Sequence, residues 1–175
     1  MVDSRHQTKS RPATLVRRRE ILDAAQEIFG SKGFANGTLQ DIAEQVGMTH
    51  AGILHHFGSK DQLLLEVLEH RDQTDVVDLD GGRIPGGMEL FRHLVHTAIV
   101  NMQRAGIVQA YAVLSAESVT DDHPGRAYFE HRYTVLRKDL REAFERVCEE
   151  RKITDPGSIA HGSAAILAVM DGLQV

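Results

Sequence analysis

The chain has one cysteine, Cys148, so an internal disulfide is excluded and a reducing setting is expected. Cys148 sits in a charged helical stretch with no resolving partner, and an inert thiol is expected there. No stretch is apolar for long enough to span a bilayer. The first basic residues are not followed by an apolar signal core, so export is not expected and the cytoplasm is the expected location. Strand-like alternation, internal repeats and low-complexity tracts are all missing. The glycines at 81–87 are interrupted by Pro85 and lack the lysine of a phosphate-cradling loop. Ser115, His96 and Asp121 can be drawn as a triad, but their spacing follows no nucleophile motif, and neither catalysis nor a cofactor is expected. His93 and His96 share a helix face, and His123, His131 or His161 would have to supply a third ligand. No Glu-x-x-His or second carboxylate motif accompanies them, so no metal is expected.

Charge is unevenly spread. Residues 1–60 carry eight Lys and Arg against six Asp and Glu, whereas residues 61–175 carry twelve against nineteen. Arg5, Lys9, Arg11, Arg17, Arg18 and Arg19 face only Asp3 within the first nineteen positions. A basic arm therefore leads a near-neutral head and an acidic body. Basic arms reach DNA phosphates or the minor groove, and a solvated tail is the alternative for residues 1–12.

Residues 38–64 read as a short helix, a glycine turn, a second short helix and the capped start of a third. Thr38 suits an N-cap, with Asp41 three positions on as its reciprocal partner. Leu39, Ile42, Ala43 and Val46 give the first helix one apolar face. Gly47 suits the left-handed stop, and Met48 re-enters the core. In the next helix Ile53 and Phe57 lie four apart and point inward together. The other face carries His50, Ala51, Leu54 and His55, a set of small side chains, histidines and one leucine that suits close approach to a DNA groove. Ser59 suits the cap of the following helix, with Lys60 beside an N-terminus that favours anions. A plain αα-corner is the alternative that spacing alone leaves open.

This pattern resembles the tetracycline-repressor (TetR) family of bacterial transcription regulators. The matching elements run from Arg19-Glu20-Ile21-Leu22-Asp23-Ala24-Ala25 through Phe29 and Gly33-Phe34, then Thr38 to Ala43, Gly47 to Phe57 and Gly58-Ser59-Lys60. The resemblance covers residues 15–65 closely. It implies phosphate contacts at Thr38 and Lys60, and base- or backbone-facing roles for Thr49, His50, Ala51 and His55. Arg17 joins this DNA-binding set from the basic N-terminal region. Leu54 stands where the family commonly has a phosphate-touching tyrosine; a leucine makes no such hydrogen bond but can pack on a thymine methyl.

The expected fold is all-α: a basic arm at 1–14, a helix-turn-helix head at 15–60 and a helical regulatory and dimerisation body at 61–175. Helices are expected over 15–32, 60–77, 88–104, 107–118, 124–151 and from 156 onward, besides the two of the head. Asp121-Asp122-His123-Pro124 and Asp155-Pro156 read as helix starts, and residues 79–87 as a turn-rich break. Ile159, Ser163, Ile166, Leu167, Met170 and Leu173 keep an apolar stripe going to the chain's end. The resemblance implies a homodimer and a further C-terminal helix, so either a chain cut short of that helix or a dimer built differently is expected. Polar and aromatic residues within the apolar body helices make Phe91, His96, Met102, Tyr111, Ser115, Tyr128 and His131 the candidate walls of a small-molecule pocket among helices 5–8. The expected function is a ligand-responsive regulator, a repressor on a palindromic duplex operator that an effector releases. A protein–protein adaptor on the same fold is the alternative.

Overall fold

The computed structural model describes residues 10–75 and 85–173, and among these all regular structure is helical. Eight helices follow in order: α1 (Ser10–Asn36), α2 (Leu39–Gln45), α3 (His50–Phe57), α4 (Lys60–Asp75), α5 (Met88–Asn101), α6 (Ala105–Glu117), α7 (Arg126–Glu150) and α8 (Pro156–Gly172).

The short helices are held by their caps. The Thr38 hydroxyl accepts from the Asp41 amide at 3.0 Å, and the Asp41 carboxylate accepts from the Thr38 amide at 3.0 Å, closing a capping box. A hydrogen bond to Lys32, then those from Thr38, hold the Asp41 carboxyl down at about 2. Thr49 caps α3 by accepting from the Gly52 amide at 3.1 Å, and Ser59 caps α4 by accepting from the Gln62 amide at 3.0 Å. Gly47, at φ 65°, makes the tight exit from α2 that a residue with a Cβ would resist.

One core runs through head and body. Ile21, Ala25 and Phe29 of α1, Ile42 of α2, Ile53 and Phe57 of α3, and Leu63, Leu64 and Leu68 of α4 are buried in the same cluster as Tyr111, Leu114 and Phe129. Each large apolar side chain so buried contributes about 1.5–3 kcal/mol. The seam is close where α1 crosses α6: a Cβ on residue 30 would lie 2.9 Å from the Ala110 Cβ and 3.0 Å from its Cα. The position 60/61 boundary expected between head and body therefore falls inside continuous packing. A second cluster joins Leu90 of α5 with Leu140 and Ala143 of α7, with Ile166 and Leu167 of α8 packed against it.

Several boundaries differ from expectation. Helix α1 is already formed at residue 10, within the stretch expected as an arm; the remainder of that arm, like most of the break at 79–87, lies outside the described residues. Gly33, one residue past the helix expected over 15–32, interrupts α1 with non-helical φ 75° and ψ 168°. Gly106, which falls in the gap expected between the helices at 88–104 and 107–118, lies in the first turn of α6, where a glycine costs little because the chain is only entering the helix. Helix α7 starts at Arg126 rather than 124, and no side chain caps it; Asp122 adopts φ 62°, which turns the chain away before the helix begins.

Candidate nucleic-acid interface and body cleft

Helix α3 divides its faces sharply. Ile53 and Phe57 are buried at 0% and 4% exposure, while His50, Ala51 and His55 are exposed on the other side. Thr38 and Thr49, also exposed, stand at the leading ends of α2 and α3. The structure thus gathers Thr49, His50, Ala51 and His55 onto one outward surface.

Arg18, which sequence reasoning did not single out, fixes this surface in place. Its guanidinium donates to the carbonyl of His56 and pairs with Glu66 of α4, and it lies 4.3 Å over the Phe57 ring. One side chain of α1 therefore ties α3 to α4. Arg17 is exposed and anchored, donating to Glu20 at 2.7 Å and to the Val46 carbonyl at 3.3 Å.

Two side chains expected to reach DNA have partners within the head. The ammonium of Lys60, expected on a phosphate, donates instead to the Phe34 carbonyl and lies 4.3 Å over the Phe34 ring. Burial lowers its pKa from the usual lysine value. Lys60 thereby pins the start of α4 to the end of α1. Leu54 is half-buried and packs against the head core.

Around Phe34 the head meets the body. The Phe34 amide donates to the Glu117 carboxylate of α6 at 2.7 Å, and the His123 ring meets Phe34 edge-on at 5.2 Å. His123 Nδ1 accepts from the Gly125 amide at 3.1 Å, and its buried Nε2 has no hydrogen-bond partner. Burial lowers the His123 pKa, against the opposing pull of Glu117 and Asp61.

The seven candidate pocket residues do not converge. Phe91 stacks edge-on with Phe144 at 6.2 Å in the second cluster. Met102, just past the end of α5, is 83% exposed, and His96 and His131 are exposed on the solvent sides of α5 and α7. The Ser115 hydroxyl donates back to the Ala112 carbonyl at 3.1 Å. Only Tyr111 and Tyr128 share a site, as parts of a polar network between α4, α6 and α7. The Tyr128 hydroxyl donates to Asp72 and, at 3.3 Å, to the Leu68 carbonyl; Arg132 pairs with Asp72 and donates to the Tyr111 hydroxyl at 3.0 Å. The buried Arg71 stacks over Tyr111 at 3.9 Å. Burial, then Asp72, pushes the Tyr128 phenol far above its usual value. Among the described residues no three His, Cys, Asp or Glu side chains are placed to hold a metal, and Cys148 is buried.

A cleft of about 430 Å³ opens between α7 and α8. Tyr133, Arg137 and Arg141 line it from α7, one turn apart each. Ala160, Ala164 and Ala168 face them from α8, with Ser163, Leu167 and Asp171 beside them. The Tyr133 phenol adjoins Tyr111 and Asp171, and burial followed by these neighbours pushes its ionisation well up. The cleft thus abuts the network that reaches α4. Sequence reasoning missed it because its walls lie some thirty residues apart in the chain; the signals available were arginines and alanines each recurring at a four-residue step.

A capped helix-turn-helix with an outward recognition face, mounted by α1 and α4 on a helical body, defines a DNA-binding transcription regulator. Residues 21–67 match the family model described as bacterial regulatory proteins, tetR family. The HTH-type transcriptional regulator BetI of Agrobacterium fabrum is 31% identical over 163 residues, covering 91% of this chain and 76% of that protein. The chain belongs to the tetR family of bacterial regulatory proteins. The HTH-type transcriptional repressor AcnR of Corynebacterium jeikeium is 38% identical over 63 residues, 36% of this chain and 33% of its own. Two solved structures share the fold: a TetR-family regulator from Agrobacterium tumefaciens (TM-score 0.74, 19% identity, covering 92% of this chain and 86% of that one) and a regulator from Saccharomonospora viridis in complex with choline (TM-score 0.70, 22% identity, 91% and 84%). Among the described residues no helix is long and apolar enough to cross a membrane.

Proposed function

We propose that this protein is a homodimeric, effector-released repressor that acts in the cytoplasm on a near-palindromic operator. The observation that carries the reading is the divided α3, whose His50, Ala51 and His55 stand exposed over a buried Ile53 and Phe57. In this reading His50, Ala51 and His55 meet base edges while Thr38, Thr49 and Arg17 meet phosphates, so register and sequence are read by different residues. Lys60 contributes by fixing the start of α4 rather than by touching DNA. Two heads set about 34 Å apart reach successive major grooves on one side of the duplex.

The dimer is supported by the apolar step of Ala165 and Val169 on α8 and Leu173 just past its end, where Val169 and Leu173 are 60% and 67% exposed. Effector release is supported by the α7–α8 cleft and the Tyr133–Tyr111–Arg132–Asp72 chain that connects it to α4. An effector acts only by its different affinity for the DNA-competent and DNA-incompetent arrangements. The choline of the S. viridis neighbour is not carried over. Quaternary ammonium recognition uses a cage of aromatic faces, and this chain has no tryptophan while its cleft offers Tyr133 beside two arginines.

The test is selection of bound duplexes from a randomised library followed by sequencing. A two-fold symmetric motif supports the reading. An unenriched pool from protein with intact helical circular dichroism overturns it.

A further inference from the structure

Two cations, Arg137 and Arg141, and one carboxylate, Asp171, line the α7–α8 cleft, and Glu142 and Glu145 flank the arginines on their other side. Arg137 and Arg141 line it one helical turn apart, and neither has a carboxylate partner among the described residues, whereas the nearby Lys138 is paired with Glu142 at 3.8 Å. Residues four apart on a helix lie side by side, so the two guanidinium groups lean over the same stretch of the cleft. Opposite them α8 offers Ala164, Leu167 and Ala168, whose small or apolar side chains leave volume unfilled, with Asp171 one turn further along the same wall. A planar guanidinium matches a carboxylate bidentately, and two of them on one rim select for anions and against cations.

We propose that this cleft is the effector site and that its ligand is a small organic carboxylate with an apolar tail. The carboxylate is held by Arg137 and Arg141, and the tail lies along Ala164, Leu167 and Ala168. A cleft of about 430 Å³ falls within the range of small-molecule sites. Bound there, the ligand also touches Tyr133, whose phenol adjoins Tyr111 and through it Arg132 and Asp72 on the last turns of α4. The proposal rests on the effector-released reading above and names the chemistry of its site.

The probe is octanoate, titrated into the full chain by calorimetry, with octanol and tetramethylammonium as controls. Saturable octanoate binding is expected, absent for both controls. R137Q/R141Q should weaken it at least tenfold, and Ala164→Leu, which fills the cleft and keeps both charges, should do the same. Octanoate affinity unchanged in both variants, or no saturable binding below about 10 mM, overturns the proposal. So does R137Q/R141Q converting a dimer to a monomer in light scattering without weakening octanoate, since that assigns the groove to a second copy. Motif selection from the randomised library is run on the same samples. A recovered palindrome with no octanoate binding refutes the site alone, whereas loss of the palindrome refutes the regulator reading beneath it.

Discussion

Replacing Arg18 with alanine removes the side chain that fastens the recognition helix. Three interactions go together: the donation to the His56 carbonyl at the end of α3, the ion pair with Glu66 of α4, and the guanidinium lying 4.3 Å over Phe57. The Arg18 and Glu66 side chains are 30% and 22% exposed, so solvent weakens the pair without abolishing it. A cation over an aromatic face contributes about 0.5–1 kcal/mol, and a hydrogen bond from a charged group about 1.5–3 kcal/mol. Glu66 is left half-buried with its charge uncompensated. The terms overlap, and about 3 kcal/mol is expected for the whole. For a chain of this size that lowers the thermal midpoint by about 6–12 °C. The assay is thermal and urea unfolding by circular dichroism, with Arg18→Met and Glu66→Gln as companions. Arg18→Met keeps the apolar cover of Phe57 and should recover about 1 kcal/mol. Arg18→Ala combined with Glu66→Gln should cost less than the two changes added, because they share one interaction. An Arg18→Ala midpoint within about 2 °C of the parent would refute the claim that this residue clamps α3.

Three further outcomes are expected. His50→Ala and His55→Ala should each change the base preference of the selected duplexes, by about 1–3 kcal/mol at the affected position, and a uniform loss across all sequences would place them on phosphates instead. Gly30→Ala should destabilise the protein by about 1–3 kcal/mol in urea, because the new methyl meets the Ala110 backbone 3.0 Å away and must push α1 off α6; an unchanged midpoint would show that the seam yields. His123 has its pKa lowered in the folded protein, so the fold binds its proton less readily than the unfolded chain does, and its contribution is complete above the unfolded value of about 6.5 and is lost as pH falls below it. Urea midpoints should therefore drop between pH 7.5 and 5.5 by more in the parent than in His123→Gln, and parallel profiles would remove His123 as the cause.

The head was legible because its determinants are local. Thr38 and Asp41, Ile53 and Phe57, and Gly47 act within one turn or one tight corner, and spacing alone placed each of them. Where the determinant is distant the sequence was silent. Lys60 meets Phe34 across 26 positions and Arg132 meets Asp72 across 60, and no periodicity reveals which cation turns inward. The same limit explains why the seven candidate pocket residues lie apart. Of the residues expected to wall a pocket, Tyr111 and Tyr128 share a polar network, whereas Met102 and His96 have the same composition and face solvent. Leu54 read as an outward oddity because the alternation of a two-turn helix is too short to separate a boundary residue from an exposed one.

The measurement that bears most directly on the outward face of α3 as a DNA reader is fluorescence anisotropy of the selected duplex against a scrambled duplex, across salt from about 50 to 200 mM. The account predicts tighter binding to the selected sequence at every salt, and a log–log slope of about −0.9 for each phosphate contacted, shared by both duplexes. Equal affinity for the two sequences, or a slope near zero with the helical spectrum intact, would contradict it and point to a fold used for protein contacts.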